Sequence, residues 1–346
     1  MFISRTPFRF SLIGGGSDLP AYYKEYGPAK IISMTLGASM YVTYSPRDLY
    51  SDPGALGSPI RLSYTQTENV NSISAIQHDL IRGVLESLRD DAHLKLPFSF
   101  EMTTVADIPS RGAGLGSSSA LVVGILKILY STPPSPDDAN VIAWYAYDIE
   151  SRILGRPVGF QDHYSAAIGG LRKYHTIDDG YNSVKYSAVR NQRGSELASH
   201  LIAFRLPVNR SSNTAKMPEH QTLDAMKEDM RNRADDLTFT VDMVDNMWEC
   251  LRCGDFLEVG RILDKAWYYK KKSHGVLDNN IDRLYNIGVS KGGALGGKVS
   301  GSMSGGAGHL FFLAYPDEHE RIRKALKELV EMKVEYYPHG STVTRI

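Results

Sequence analysis

The apolar positions fall into two kinds of pattern. Phe8 to Ile13 alternates loosely before Gly14-Gly15-Gly16-Ser17-Asp18, which reads as a strand entering a tight turn with a carboxylate on its far side. Lys30 to Tyr44 predicts two strands around Gly37, and Leu96 to Val105 a further strand, while 45–59 is turn-rich and reads as a surface loop. Residues 73–89 look helical. From Leu115 to Tyr130 the chain is apolar on nearly every face, which predicts a buried helix ended by Pro133-Pro134. Asp137 to Leu154 predicts another helix, with Gly155 placed to stop it. Strand-like runs then reach Val189. A polar connector from Gln192 to Ser199 precedes a strand at Leu201–Leu206, and helices are expected at 218–233, 236–253, 255–272 and 278–291. A glycine-rich turn, a strand at 309–315 and a helix at 317–332 close the chain.

With 346 residues and ordinary apolar content the chain is long enough for two cores. The connector suggests domains of 1–195 and 196–346. Lys plus Arg equals Asp plus Glu at 39 each, so no global basic field favours nucleic acid or an anionic membrane. No apolar run reaches spanning length and no secretory leader is seen, so a cytoplasmic protein is expected. Cys250 and Cys253 lack a second ligand pair and read as helix residues in a reducing compartment.

The buried helix opens from Pro109-Ser110-Arg111-Gly112-Ala113-Gly114-Leu115-Gly116-Ser117-Ser118-Ser119-Ala120. Three glycines let main-chain N–H groups approach an anion, and the helix N-terminus favours negative charge. This reads as a phosphate cradle formed by Arg111, Gly112, Ala113, Gly114, Leu115, Gly116, Ser117, Ser118 and Ser119. The alternative is a Ser-capped core helix after a flexible turn. Phosphoryl transfer also needs a magnesium site and a group that accepts the acceptor's proton. Glu150 lies in an apolar helical stretch, and Asp162 follows in Val158-Gly159-Phe160-Gln161-Asp162-His163-Tyr164, read as a turn presenting an acid. His163 reads as a hydrogen-bonded scaffold residue. Gly292 to Val299 misses the Walker A pattern in its last position and is set aside.

Three separated segments together resemble the GHMP kinase superfamily. Arg5 to Asp18 looks like its first motif, Pro109 to Ala120 its phosphate-binding motif, and Gly297 to Phe312 its third, although Ser302, Met303, Ser304 and His309 interrupt the usual glycine run. The Gly-Gly-Gly-Ser-Asp form, with Gly159 to Asp162, Ala167 to Leu171, Lys265-Ala266-Trp267 and Lys271-Lys272, is closest to the branch acting on D-glycero-D-manno-heptose 7-phosphate, with fucokinase domains as relatives.

The resemblance implies an α+β fold, an N-terminal domain like ribosomal protein S5 domain 2 and a ferredoxin-like C-terminal domain, with the site between them. It implies Asp162 and Arg9 as catalytic pair, Ser118 and Glu150 as Mg2+ ligands, and Gly15, Gly16, Ser17, Asp18, Gly305 and Gly306 about the sugar. ATP and a sugar phosphate are the implied partners, with a homodimer left open. The implied reaction is phosphorylation of the anomeric C1 hydroxyl to a 1,7-bisphosphate for surface-polysaccharide precursors. Arg210 suits a clamp for the 7-phosphate, ahead of Arg111, Lys24 and Lys272. The alternatives are the same fold acting on another sugar such as fucose, or a non-catalytic sensor of sugar and ATP.

Overall fold

The computed structural model describes residues 1–47, 59–89, 99–109, 113–131, 138–177, 183–207, 223–273, 279–301 and 308–346. Arg111, Gly112, Arg210, Gly305 and Gly306 lie outside these residues. Two sheets organise the described chain. In the first, β1 (Phe2–Ile13) lies between β12 (Thr342–Arg345) and β2 (Lys30–Pro46), both antiparallel to it. The long β2 serves two neighbours on its other edge. Met40–Pro46 pairs with β5 (Phe100–Ala106), and Lys30–Met34 pairs with β6 (Leu171–Thr176), which pairs onward with β7 (Val184–Ala188). Beyond β5 come β3 (Ile60–Ser63), in parallel, and β4 (Thr67–Val70).

The two strands expected around Gly37 are thus one. The register jumps from Pro7↔Ser39 to Arg9↔Thr35, so the surplus residues sit on β2 at Leu36–Ala38. Gly37 marks a bulge and not a turn, its N–H donating to the Glu335 carbonyl at 2.8 Å. The irregularity lies beside Arg9, where a bulge re-aims side chains.

The apolar helix is α3 (Ser117–Leu129), buried along almost its whole length against β1 and β2. Its capping residue Gly116 has φ +76°, a left-handed conformation that suits glycine. The next helix, α4 (Ala139–Asp148), continues as a wide turn over Ile149–Ile153 and stops at Gly155, φ +63°. Asp162 does not sit in a turn as expected: it occupies the first turn of α5 (Gln161–Ile168), which packs on α3 and α4. A short α1 (Pro20–Tyr23) and α2 (Asp79–Ser87) complete this half.

The supposed polar connector is itself a helix, α6 (Asn191–Ser199), whose Leu197 and Ala198 are buried. Its apolar content is too small to show a period, yet one buried pair suffices to dock it. The second sheet is antiparallel in the order β11 (Val330–Met332), β8 (Leu201–Arg205), β10 (His309–Leu313), β9 (Gly296–Ser300). Two expectations change here. The stretch read as a glycine-rich turn before a strand carries β9, and the last helix is short, α11 (His319–Ala325), followed by β11.

Helices α7 (Leu223–Asp242), α8 (Val244–Cys253), α9 (Phe256–Ser273) and α10 (Asn279–Ser290) complete the second half. The break expected near residue 234 falls instead at Met243, because Arg233-Ala234-Asp235-Asp236 contains nothing that interrupts a helix. Cys250 and Cys253 are free thiols on α8.

The halves share a core. Phe10 of β1 stacks on Phe311 of β10 with ring centroids 3.9 Å apart, and both rings are fully buried. The last strand, β12, returns to the first sheet. This packing fixes the cleft between the sheets. No described helix is long and apolar enough to cross a membrane.

Candidate active site

Arg9 lies at the centre. Its Nε and Nη2 donate to the two carboxylate oxygens of Asp162, each at 2.7 Å, and its Nη1 donates to the Gly114 carbonyl at 2.8 Å. One planar guanidinium thus fixes the Asp162 carboxylate and ties it to the cradle. The Arg9 main-chain N–H also donates to the Leu115 carbonyl at 3.0 Å. With side chains 12 % and 26 % exposed, the pair is sheltered while Asp162 can still reach a ligand.

The cradle is stitched to the third glycine segment. Gly114 has φ +66°, and a Cβ there would lie 2.5 Å from the Gly301 Cα and from the Ser300 carbonyl oxygen. The Ser300 hydroxyl donates to the Gly114 carbonyl at 2.8 Å, and His309 Nδ1 donates to the Ala113 carbonyl at 2.9 Å. Burial lowers the His309 pKa and favours the neutral ring, whose proton the Ala113 carbonyl then holds on Nδ1. Consumed carbonyls leave the opposite edge of the loop, its N–H groups and the α3 N-terminus, for an anion.

Behind the cradle, Glu150 is 1 % exposed. Its Oε2 accepts from His163 Nε2 at 2.8 Å and from the Ser119 hydroxyl at 3.1 Å, while Arg156 stands 3.6 Å from Oε1. Burial works against its ionised form, but His163, then Arg156 and Ser119, outweigh it and hold the pKa below the usual carboxylate value. The hydroxyl in contact with Glu150 is therefore that of Ser119; Ser118 is half-buried one position earlier. His163 is completely buried and acts as the scaffold expected of it. Among the described residues Glu150 Oε1 accepts no hydrogen bond although it is buried, and with Arg156 no nearer than 3.6 Å it can still serve a cation. Mg2+ usually takes one or two protein oxygens and completes its shell with waters and phosphate oxygens, so Glu150 with a cradle serine fits it.

On the other side of Arg9 opens a cleft of about 330 Å3. Gly15, Gly16 and Asp18 form its floor with Gly159, Gln161 and Asp162, and α7, α9 and β9 supply the facing wall through Arg233, Asp236, Trp267, Lys270 and Lys298. Ser17 does not border it. Its hydroxyl is buried and donates to the Gly14 carbonyl at 2.7 Å, shaping the turn. Asp18 is 6 % exposed, with Oδ1 accepting from the Gly16 N–H at 2.8 Å and Oδ2 from the Gln161 N–H at 3.2 Å. Burial first, then the charge of Asp162, raises its pKa against those two donors. Lys272 is turned away, paired with Asp236 at 2.7 Å.

Sequence reasoning missed Gln161, whose Nε2 is buried at the cleft without a hydrogen-bond partner among the described residues, and the cations Arg233, Lys270 and Lys298. Lys270 stands between Trp267 and Lys271, residues that carry the family likeness. Lys298 belonged to the rejected Walker-like run, whose second half from Gly296 is strand β9 paired with β10.

Comparison with known proteins agrees with this architecture. The GHMP kinases N-terminal domain model matches residues 79–170 and the GHMP kinases C-terminal model residues 246–331, together just over half the chain. The chain belongs to the GHMP kinases, ATP-using phosphotransferases with an alcohol group as acceptor. It is 28% identical over 333 residues to the D-glycero-alpha-D-manno-heptose 7-phosphate kinase of Campylobacter jejuni, covering 94% of this chain and 93% of that one. Among solved structures, a D-glycero-D-manno-heptose 1-phosphate kinase from Bacteroides thetaiotaomicron superposes with a TM-score of 0.77 at 24% identity, over 100% of this chain and 99% of that one. Lactococcus lactis galactokinase, solved with galactose, gives 0.72 at 15% identity over 98% and 94%. At those identities the two structures speak for the fold.

Proposed function

We propose that this chain is a cytoplasmic, ATP- and Mg2+-dependent sugar kinase that phosphorylates the C1 hydroxyl of D-glycero-D-manno-heptose 7-phosphate. The product would be the 1,7-bisphosphate, a precursor for nucleotide-heptose and surface polysaccharide. The observation that carries the reading is the Arg9–Asp162 pair, held in a two-pronged contact where the cradle meets the cleft. An acceptor hydroxyl at Asp162 would lie between a proton acceptor and the phosphate end of the nucleotide.

The roles follow from position. Asp162 accepts the proton as the hydroxyl attacks, and Arg9 keeps its carboxylate aligned and counters the charge spreading over the transferring group. Ala113, Gly114, Leu115, Gly116 and the three serines hold the triphosphate. Glu150 with Ser118 or Ser119 would hold Mg2+, which would supply charge neutralisation of the phosphates. Gly15, Gly16, Asp18 and Gln161 receive the sugar hydroxyls, with Ser17 shaping their turn. The division into 1–195 and 196–346 assigns the cradle to the first unit and the cationic wall to the second, although residue 195 falls within α6 and β12 returns to the first sheet.

The substrate rests on the Campylobacter jejuni relative, of which this chain covers nearly the whole length. A coupled ADP-release assay with heptose 7-phosphate, unphosphorylated heptose and fucose tests it. Heptose 7-phosphate is expected to give the highest kcat/KM; preferential turnover of fucose would replace the substrate, and absence of sugar-dependent ADP release would leave a binding protein.

A further inference from the structure

The facing wall of the cleft carries charge for which the floor has no use. Lys298 is 8 % exposed on β9, and its amine donates to the Leu12 carbonyl at 3.2 Å. Among the described residues no carboxylate lies within ion-pairing distance of it. An ammonium has three N–H donors, and burying it beside a single carbonyl is costly unless an anion arrives. Lys270, on helix α9 packed against β9, rests on the Val299 and Gly301 carbonyls at 3.1 Å each, and Arg233 closes the same wall from α7. The indole N–H of Trp267, buried beside them at the cleft, has no acceptor among the described residues either.

These cations face the acceptor. The cleft they line is bounded by the sugar-side floor of Gly15, Gly16 and Asp18, and no residue from Ala113 to Ser119 borders it. The nucleotide's phosphates have their own cradle beyond Arg9. Asp162 already occupies two arms of Arg9, Asp236 is engaged by Lys272, and Arg233 is itself paired with Asp229 at 2.9 Å, so Lys298 is the wall cation that no carboxylate among the described residues pairs. Crowding supports this: burial and then the charges of Arg9 and Arg233 pull the Lys270 pKa down to about 8, and burial with Lys270 and Arg9 pulls that of Lys298 well below the lysine value. An anion placed among them would relieve both.

We infer that Lys270 and Lys298, flanked by Arg233, form the subsite for a phosphate already carried by the acceptor, so that the cleft selects a sugar monophosphate over the free sugar. This rests on the sugar-kinase reading above and adds the residues that enforce it. The contact is non-covalent. It anchors the acceptor's far end so that its reacting hydroxyl is delivered to Asp162, a use of remote binding energy.

The test compares wild type with Lys298→Met and Lys270→Gln, measuring KM and kcat for ATP, D-glycero-D-manno-heptose 7-phosphate and unphosphorylated heptose. Lys298→Met keeps the volume and removes a desolvated charge, so its thermal midpoint should match or exceed wild type, which separates a binding defect from a folding one. Each variant should raise KM for the heptose phosphate about 10- to 100-fold, the scale of a lost charge-assisted hydrogen bond. KM for ATP and kcat/KM for the unphosphorylated heptose should stay within about threefold, so that the preference collapses. A wild type that prefers the phosphorylated sugar alongside folded variants that keep this preference would overturn the assignment and leave the kinase reading standing. A rise confined to KM for ATP would also overturn it, by giving the lysines to the nucleotide. A wild type that prefers unphosphorylated sugar would overturn both.

Discussion

Gly159 offers a perturbation whose consequence can be worked from geometry. A Cβ built on it would fall against the Asp18 carboxylate, within 2.9 Å of Oδ1 and closer still to Cγ and Oδ2. Real Cβ contacts do not come so near, and Gly159 is not among the glycines with positive φ, so alanine meets no backbone strain there. The whole effect of Gly159→Ala therefore passes through Asp18. That carboxylate has little room: it is buried and holds the Gly16 and Gln161 N–H groups at 2.8 and 3.2 Å. Swinging it aside breaks at least one bond to a charged acceptor, worth about 1.5–3 kcal/mol. Expressed in acceptor binding, that is roughly a 10- to 100-fold rise in the sugar KM, at about 1.4 kcal/mol per decade. KM for ATP should barely change, because the cradle lies on the far side of Arg9. A double-mutant cycle sharpens the test. Asp18→Ala will itself weaken acceptor binding, but it vacates the space, so adding Gly159→Ala should cost less than about 0.5 kcal/mol more. A Gly159→Ala enzyme with wild-type sugar KM, or losses that simply add, would refute the placement of Asp18 under the acceptor.

Other outcomes follow from the same geometry. Asp162→Asn should leave ATP binding largely intact and lower kcat by about 10²- to 10⁴-fold, measured by ADP release; unchanged turnover would remove Asp162 from the chemistry. Glu150→Gln should raise the Mg2+ concentration for half-maximal rate at least about tenfold, and a Mg2+ titration superimposable on wild type would place the cation elsewhere. Lys298→Met should change how stability depends on pH. The folded chain holds the Lys298 proton less tightly than the unfolded one, whose lysine titrates near 10.5, so across that window the unfolded state binds more protons and this residue's contribution to stability rises with pH. The variant should be the more stable near neutral pH by thermal melting, with its advantage shrinking as pH approaches 10; a constant difference would contradict the buried charge.

The sequence made some of this legible because the chemistry needed residue types that stand out locally. Glycines ahead of an unbroken apolar run announce a buried helix with an open N-terminus, and α3 begins within two residues of the expected start. Gly37 was visible as a break in a strand, but a bulge and a turn look alike until the partner strand's register is known. Helix α6 was hidden because Leu197 and Ala198 are its only buried apolar side chains beside the buried Gly194, and β11 and β12 because short edge strands carry almost no periodicity. The contact between Ser119 and Glu150 depends on the rotation of α3 against α4, which no local pattern records. Lys270 and Lys298 escaped for the same reason. They are ordinary lysines 28 residues apart until α9 packs on β9 and turns both amines to one cleft.

On the proposed function, this cleft phosphorylates the anomeric hydroxyl of a sugar that already bears a phosphate. Phosphorus NMR of the product formed from D-glycero-D-manno-heptose 7-phosphate, ATP and Mg2+ tests it most directly. A second sugar-phosphate resonance, coupled to the anomeric proton, should appear in step with ADP while the original phosphate signal persists. ADP release with no such resonance, or a product phosphorylated at another carbon, would contradict it.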